Sequence, residues 1–447
     1  MTVISSNMGH VRTSINNNKL ISVPIFAFMI YIICTYFPLI YTIVPLLGKI
    51  KIVLIFGVVL LVSYISTAGR YRNVGTWRNS IIIALFGYFI AITLGIFVSH
   101  DRGLTLQTII ANLKYLLVTM IMVKIIDNEK RQKLIMVIFM ACGLGMAVST
   151  VLNYTLLGKT FVQFDIVSER ALAIESGLFG DPNDLAMLFN VVLPFILYKF
   201  MKAKNKIMPL IGILMIVCAV MFTYSRGGFL GMLTVALGFL LFQESKKGRY
   251  IVIVVIVALL FWSFAPDNYK ERILTIKSEA QVDEEMGKYP GRLQAWVDLL
   301  PEGLKSPLLG AGAGCSFYLA GHAIGDWHVM HNSFLQAFLE TGLIGLIFFV
   351  SIFILPYKQY RHLRCKGRGV FDENTELFKF ILLSIAAFAV TAFFLPQAYS
   401  PIMYFLSGTA VIQTKLCNSQ SKHVSRPYNS HRSALVPVSK TVSDTSS

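Results

Sequence analysis

Apolar runs of about 18–25 residues recur along nearly the whole of this chain, the length an α-helix needs to cross a bilayer. Backbone polar groups find no water inside a membrane. A continuous apolar run there has helix as its stable form, and a membrane barrel would show alternation instead. Runs near 21–46, 50–67, 80–98, 105–125, 134–157, 184–200, 207–223, 227–243, 250–265, 332–356, 377–395 and 398–415 predict an all-α, polytopic transmembrane helical bundle. That is about twelve spans. Only 14% of the 447 residues are charged and 55% are hydrophobic, which excludes a soluble domain of this length.

Charge placement sets the orientation. Basic residues follow each even-numbered span: Arg70, Arg72 and Arg78; Lys124, Lys130, Arg131 and Lys133; Lys199, Lys202, Lys204 and Lys206; Lys246, Lys247 and Arg249; Lys358, Arg361, Arg364, Lys366 and Arg368. Lys and Arg accumulate in cytoplasmic loops, so these loops and both termini are assigned to the cytoplasm. The net charge of +17 is thus a topology signal, and no basic domain large enough to hold a duplex points to nucleic acid.

The expected organisation is a cytoplasmic segment over 1–19, spans one to nine over 20–265, a large extracytoplasmic loop over 266–331, spans ten to twelve over 332–416, and a disordered cytoplasmic tail over 417–447. The polar N-terminus followed by an apolar run without a small-residue cleavage site reads as a retained first span. The six cysteines are scattered, with no pair placed for a disulfide and no metal spacing.

The long loop and the short gap at Arg226 fall on the same non-cytoplasmic side. In Tyr224-Ser225-Arg226-Gly227-Gly228, Ser225 suits a helix N-cap and the glycines let backbone approach a ligand. Arg226 then joins a helix N-terminus, where free N–H groups and the dipole favour an anion. The position equally suits an interfacial arginine reaching for headgroups.

Within the loop, Leu293, Trp296, Val297 and Leu300 share one helix face after Arg292, with Pro301 and Gly303 expected to end that helix. A short amphipathic helix with a tryptophan suits a membrane surface, with Arg292 at its first turn. Asn332, Gln336 and Glu340 then form a polar stripe on a membrane helix, which must face protein or water. His331 stands at the start of this helix, where the dipole favours the neutral ring, and a neutral imidazole can serve as general base. The alternative is a structural interfacial histidine; His322 and His328 are weaker candidates.

Softer candidates complete the set. Asp181 reads as N-cap and Pro182 as first residue of a helix, with Asn183 beside them as a candidate substrate-lining residue. Lys114 lies inside a span, a costly place that suggests a substrate-lining role, the alternative being that it snorkels to the interface. Gly310 to Gly314 lacks the lysine of a phosphate loop and is expected to be a flexible turn. The acidic run Asp283-Glu284-Glu285 reads as solvated, and no His/Asp cluster supports a metal.

At these residues the chain resembles the O-antigen ligase and Wzy-type polysaccharide polymerase family. The likeness rests on Ser225-Arg226-Gly227-Gly228, Arg292 with Trp296, Pro307-Leu308-Leu309-Gly310, His331-Asn332 through Gln336, and Glu340-Thr341-Gly342 through Gly345, over about residues 180–350. The resemblance implies a GT-C-like membrane glycosyltransferase acting outside the bacterial cytoplasmic (inner) membrane on glycan linked to undecaprenyl diphosphate. It implies that Arg226 and Arg292 hold the diphosphate, that His331 activates the acceptor hydroxyl, and that neither metal nor other cofactor takes part. The acceptor, lipid A-core or another glycan, is not encoded in these motifs. A protein O-oligosaccharyltransferase and a polysaccharide transporter or flippase are the competing readings; a transporter predicts two similar halves, and no such repeat is visible.

Overall fold

A computed structural model of the chain describes residues 20–71, 76–152, 154–155, 164–165, 170–171, 181–243, 292–324, 331–366 and 373–424, with single positions between 248 and 270. The described residues are helical apart from turns and one minimal antiparallel ladder, β1 (Phe164–Asp165) with β2 (Arg170–Ala171). Six of the helices are long and apolar enough to cross a membrane, and four shorter apolar helices accompany them. This is a multi-pass, all-helical membrane protein.

The chain begins with α1 (Val23–Tyr36), the short α2 (Leu39–Ile43) and α3 (Pro45–Lys49), then α4 (Ile52–Thr67), α5 (Ser80–Leu94), α6 (Arg102–Ile125) and α7 (Glu129–Leu152). It continues with α8 (Pro182–Lys202), α9 (Ile207–Phe222) and α10 (Arg226–Phe242). After the loop come α11 (Arg292–Lys305), α12 (Ser316–Ile324), α13 (Ser333–Lys366), α14 (Glu373–Ala392) and α15 (Pro401–Val424). The helix starts are written in the sequence. Asn79 accepts from Ile81 N at 2.9 Å, Asp101 from Leu104 N at 3.0 Å, and Ser225 from Gly228 N at 2.9 Å, each quieting a donor the first turn leaves open.

α8 and α14 are the most enclosed of the long spans, and α14 packs against α8, α10, α13 and α15. Lipid is as apolar as a helix face, so such contacts depend on close fit and on polar links rather than on exclusion of water. Ser384 Oγ donates to Val191 O at 2.9 Å between α14 and α8, and Tyr404 OH to Asn112 Oδ1 at 3.0 Å between α15 and α6.

One end of the bundle is charged. Arg131 bonds Asp127 at 2.8 Å, Lys133 bonds Glu373 at 2.7 Å, Lys202 bonds Glu376, and Asn374 donates to Glu129 at 2.6 Å. The starts of α7 and α14 and the end of α8 therefore share one face. These are loops that the charge alternation placed together.

Several boundaries differ from the sequence expectation. The expected first span stops at Tyr36, since Pro38 and Pro45 break the remainder into α2 and α3. α13 runs to Lys366, well past the expected end at 356. α11 continues through Pro301 and Gly303 to Lys305 instead of ending there. α15 extends to Val424, so the first residues of the expected disordered tail are helical. The 1–19 segment, most of expected span nine, the acidic run at 283–285, His328 and residues 425–447 lie outside the described residues.

Candidate functional site

The end of the bundle opposite the charged cluster is organised around the turn between α14 and α15, residues 393–400. Gln397 Nε2 donates to Asp184 Oδ1 in the first turn of α8 at 2.7 Å. Gln397 N donates to Ser333 Oγ, the first residue of α13, at 2.8 Å, and Ser333 Oγ donates to Leu395 O at 2.5 Å. Ala398 N donates to Gln336 Oε1 at 3.3 Å, and Tyr399 OH to Glu340 Oε2 at 2.6 Å. A Cβ on Gly227, in the first turn of α10, would stand 3.0 Å from Phe394 Cβ. The Trp296 ring of α11 meets Phe393 edge-on at 5.5 Å between centroids. One short turn thus gathers the starts of α8, α10, α11 and α13, whose N-terminal dipole ends all favour anions.

Arg226 is the first residue of α10 and is half-buried. It follows Tyr224, which holds φ +51, a left-handed conformation that costs a side-chain-bearing residue about 1 kcal/mol or more. The buried Tyr224 ring and a 2.7 Å hydroxyl contact with Tyr154 hold it there. This reversal delivers Ser225 as cap and Arg226 directly behind it. Gly227 and Gly228 do not leave backbone open to a ligand, as the sequence suggested. They pack on Phe394 and Ala186, and the Gly228 carbonyl accepts from Asn190 Nδ2 at 2.8 Å.

Asn332, rather than His331, caps α13: its Oδ1 accepts from Phe334 N at 2.9 Å and Leu335 N at 3.1 Å. His331 precedes the cap and is half-buried. Of the polar stripe, Gln336 bridges Ala398 and Glu340, donating to Glu340 Oε1 at 3.3 Å. Glu340 is 1% exposed and also accepts from Gly314 N at 2.6 Å, Ser316 N at 3.3 Å and Ser316 Oγ at 2.5 Å. Its carboxylate is surrounded by protein donors, so it holds the glycine turn and the 393–400 turn to α13.

The glycine turn is not the flexible segment expected from composition. Gly310, Gly312 and Gly314 all have φ between 70 and 98°. α13 breaks at Gly342 (φ 65, ψ −168), and the turn fills the break: Leu343 N donates to Pro307 O at 2.7 Å, Ala311 N to Leu339 O at 2.8 Å, and Gly312 N to Glu340 O at 3.1 Å. Thr105 Oγ1 donates to Ala313 O at 3.0 Å, tying α6 to the same turn.

α11 is amphipathic, as expected, and carries apolar residues on two sides. Leu299 is buried against α12 and α13 with Trp296 beside it, while Val297, Leu300 and Leu304 form the exposed stripe. Arg292 is the first residue of α11, one turn before Trp296; its side chain and that of His322 lie outside the described residues. Asp181 caps α8, accepting from Asn183 N at 2.7 Å and Asn183 Nδ2 at 2.6 Å, so the Asn183 side chain serves the cap. Lys114 stands apart, exposed in mid-α6 and lining a cavity that none of the other candidates reaches.

Gln397, Ser333, Tyr399 and Asp184 were not singled out from sequence. A signal was present: Pro396, Gln397, Tyr399 and Ser400 crowd polar and rigid residues into one short gap on the non-cytoplasmic side by the charge alternation.

The fold is that of a multi-pass membrane protein whose polar residues gather at one end around four helix starts. The family model described as O-antigen ligase matches residues 210–350. That stretch, about a third of the chain, is similar to the O-antigen ligase family, and it lies within a multi-pass helical membrane protein. The matched stretch contains Arg226, Arg292, His331, Asn332, Gln336 and Glu340, whereas Asp181, Asn183 and Lys114 lie before it. No curated protein matches the chain.

Proposed function

We propose that the protein is a GT-C-like membrane glycosyltransferase that moves a glycan from undecaprenyl diphosphate to an acceptor hydroxyl on the extracytoplasmic face, within a bundle of about twelve spans and between cytoplasmic termini. The observation that carries the reading is the convergence of four helix starts on the 393–400 turn, with Arg226 opening one and Arg292 opening another. Arginine matches phosphate oxygens bidentately, and helix N-termini add N–H groups and dipole of the same sign.

In the proposed step the acceptor oxygen attacks the anomeric carbon as its bond to the diphosphate oxygen breaks. The electron pair leaves with the lipid diphosphate, whose charge Arg226 and Arg292 neutralise. The acceptor proton passes to His331, which stands just before the capped start of α13 and accepts it as general base. Attack opposite the leaving group inverts the anomeric configuration. No metal or nucleotide has a part in this scheme. The acceptor is the end of another glycan or lipid A-core, in polysaccharide or lipopolysaccharide biosynthesis at the bacterial inner membrane.

The test is transfer by purified protein from a lipid-linked donor. Arg226→Ala and Arg292→Ala abolish transfer while the protein remains in the membrane, and His331→Ala lowers turnover more than donor binding. Full activity in either arginine variant, retained anomeric configuration, or strict loss of activity in EDTA overturns the scheme. Deleting the gene in its host separates the acceptors: long chains vanish from lipid A-core, surface glycan stops at one unit, or a secreted polysaccharide is lost.

A further inference from the structure

The α1/α4 hairpin closes, at the end away from Leu20 and Arg70, in α2, α3 and two exposed lysines, Lys49 and Lys51. Lys51 precedes α4 in a left-handed conformation (φ 50), which turns the chain abruptly at this point.

α6 passes alongside. Its last turn marks the opposite membrane face, where Lys124 Nζ lies 5.8 Å from the centroid of the Trp77 ring. Lys114 stands about 16 Å above Ile125 by helical rise, near mid-bilayer. Lys49, Lys51 and Lys114 line one open cavity of about 920 Å³, with Tyr31, Tyr41 and Tyr115 in its wall and no Asp or Glu among the described residues. Among the described residues none of the three lysines has an ion-pair partner. An ammonium group at mid-span, as on Lys114, is costly unless an anion meets it, and Lys49 and Lys51 add their charge to the same cavity. The remaining walls include Leu54, Val58, Leu61 and Leu117, each exposed on the outside of the bundle, as acyl chains would require.

We infer that this groove binds the phosphate headgroup of an anionic glycerophospholipid, its acyl chains lying along α4 and α6. Charge complementarity names the occupant class: among the described lining residues the charges are all cationic, and they stand beside an apolar wall. The site does not depend on the transfer chemistry, since none of the residues proposed for diphosphate or acceptor lines the groove.

The experiment is native mass spectrometry of the full chain in detergent, exchanged against phosphatidylglycerol or phosphatidylcholine. Wild type retains phosphatidylglycerol over phosphatidylcholine by roughly ten-fold or more, a preference of the size a few surface lysines provide. Lys49→Gln/Lys51→Gln/Lys114→Gln loses the preference, while Lys114→Arg and the control Lys130→Gln keep it. Lys114→Gln alone reads a smaller loss, which decides the matter if the triple variant does not fold. Equal retention of the two lipids in wild type, or a preference unchanged in the glutamine variants, overturns the site. Displacement of phosphatidylglycerol by equimolar polyprenyl phosphate overturns the phospholipid as its occupant.

Discussion

Gln397 Nε2 donates to Asp184 Oδ1 at 2.7 Å, fastening the turn between α14 and α15 to the first turn of α8. The same residue's backbone N–H is held by Ser333 Oγ at the start of α13. Gln397 is thus a strut between two of the helix starts that surround the candidate site. Replacing it with leucine keeps the volume but leaves the Asp184 carboxylate without this donor. Gln397→Leu is expected to destabilise the protein by about 1 kcal/mol, the scale of one hydrogen bond lost at a half-buried acceptor. It is also expected to lower transfer, because the start of α13 carries His331. Asp184→Asn keeps an acceptor oxygen and is expected to be milder. Thermal unfolding in detergent beside transfer assays checks both; an unshifted Gln397→Leu refutes the strut.

Gly342 and Gly310 interlock. A Cβ on Gly342 would stand 2.2 Å from the Leu308 carbonyl carbon, and one on Gly310 would stand 2.4 Å from that of Glu340. Both glycines also hold positive φ, so alanine is strained even without the collision. Backbone cannot yield as a flexible side chain can. Gly342→Ala and Gly310→Ala are therefore expected to prevent accumulation of monodisperse protein, whereas Gly69→Ala, with nothing within 4 Å, is expected to be neutral. Size-exclusion profiles of the variants make the comparison, and a well-behaved Gly342→Ala contradicts the packed turn.

The class of fold was legible because spans of apolar residues and the alternation of basic exits are long, redundant signals. The alternation even grouped the loops that meet through Lys133–Glu373 and Lys202–Glu376. Helix caps such as Asp181 and Ser225 were also readable, being local chemistry. What failed to show was long-range. Glu340 and Gln336 look like a polar stripe waiting for a ligand, yet their partners are Gly314, Ser316, Ala398 and Tyr399, far away in sequence. Gly310–Gly314 looks like a loose linker because its order comes from a break in another helix. Leu293, Trp296, Val297 and Leu300 were read as one apolar face for a membrane surface; Val297 and Leu300 are exposed, whereas Trp296 packs beside Leu299, whose burial is decided by what α12 and α13 present.

Glu340 gives a prediction that separates structure from catalysis. Its carboxylate takes hydrogen bonds from Gly314, Ser316, Gln336 and Tyr399 while almost wholly buried. Glu340→Gln replaces one acceptor oxygen by a donor facing other donors and removes the charge that strengthens these bonds. The expected loss is about 2 kcal/mol, the scale of a hydrogen bond to a charged group, and Tyr399→Phe should lose about half as much. A Glu340→Gln protein with unchanged melting but no turnover would show instead that this carboxylate acts on substrate.

Asp101 and Tyr318 make a pH-dependent latch between α6 and α12. Tyr318 OH donates to Asp101 Oδ2 at 2.9 Å while Asp101 Oδ1 accepts from Leu104 N. The Leu104 amide first, and the Tyr318 hydroxyl second, hold the Asp101 carboxyl below its ordinary value. Hydrogen bonding to Asp101 and the repulsion of its charge push the Tyr318 hydroxyl up. A depressed folded-state value means the carboxylate favours the folded latch at any pH above the ordinary carboxylate range. That contribution fades as pH falls from there through the depressed value. The raised tyrosine has the opposite sign: its contribution is full below the ordinary phenol range and fades as pH rises through the raised value. Hydrogen exchange of α12 amides should therefore stay slow across neutral pH, once corrected for intrinsic rates, and quicken at both extremes. Tyr318→Phe should remove the alkaline limb and weaken the acid one, while Asp101→Asn should flatten the acid limb. An acid limb that persists unchanged in Asp101→Asn would assign the latch to another group.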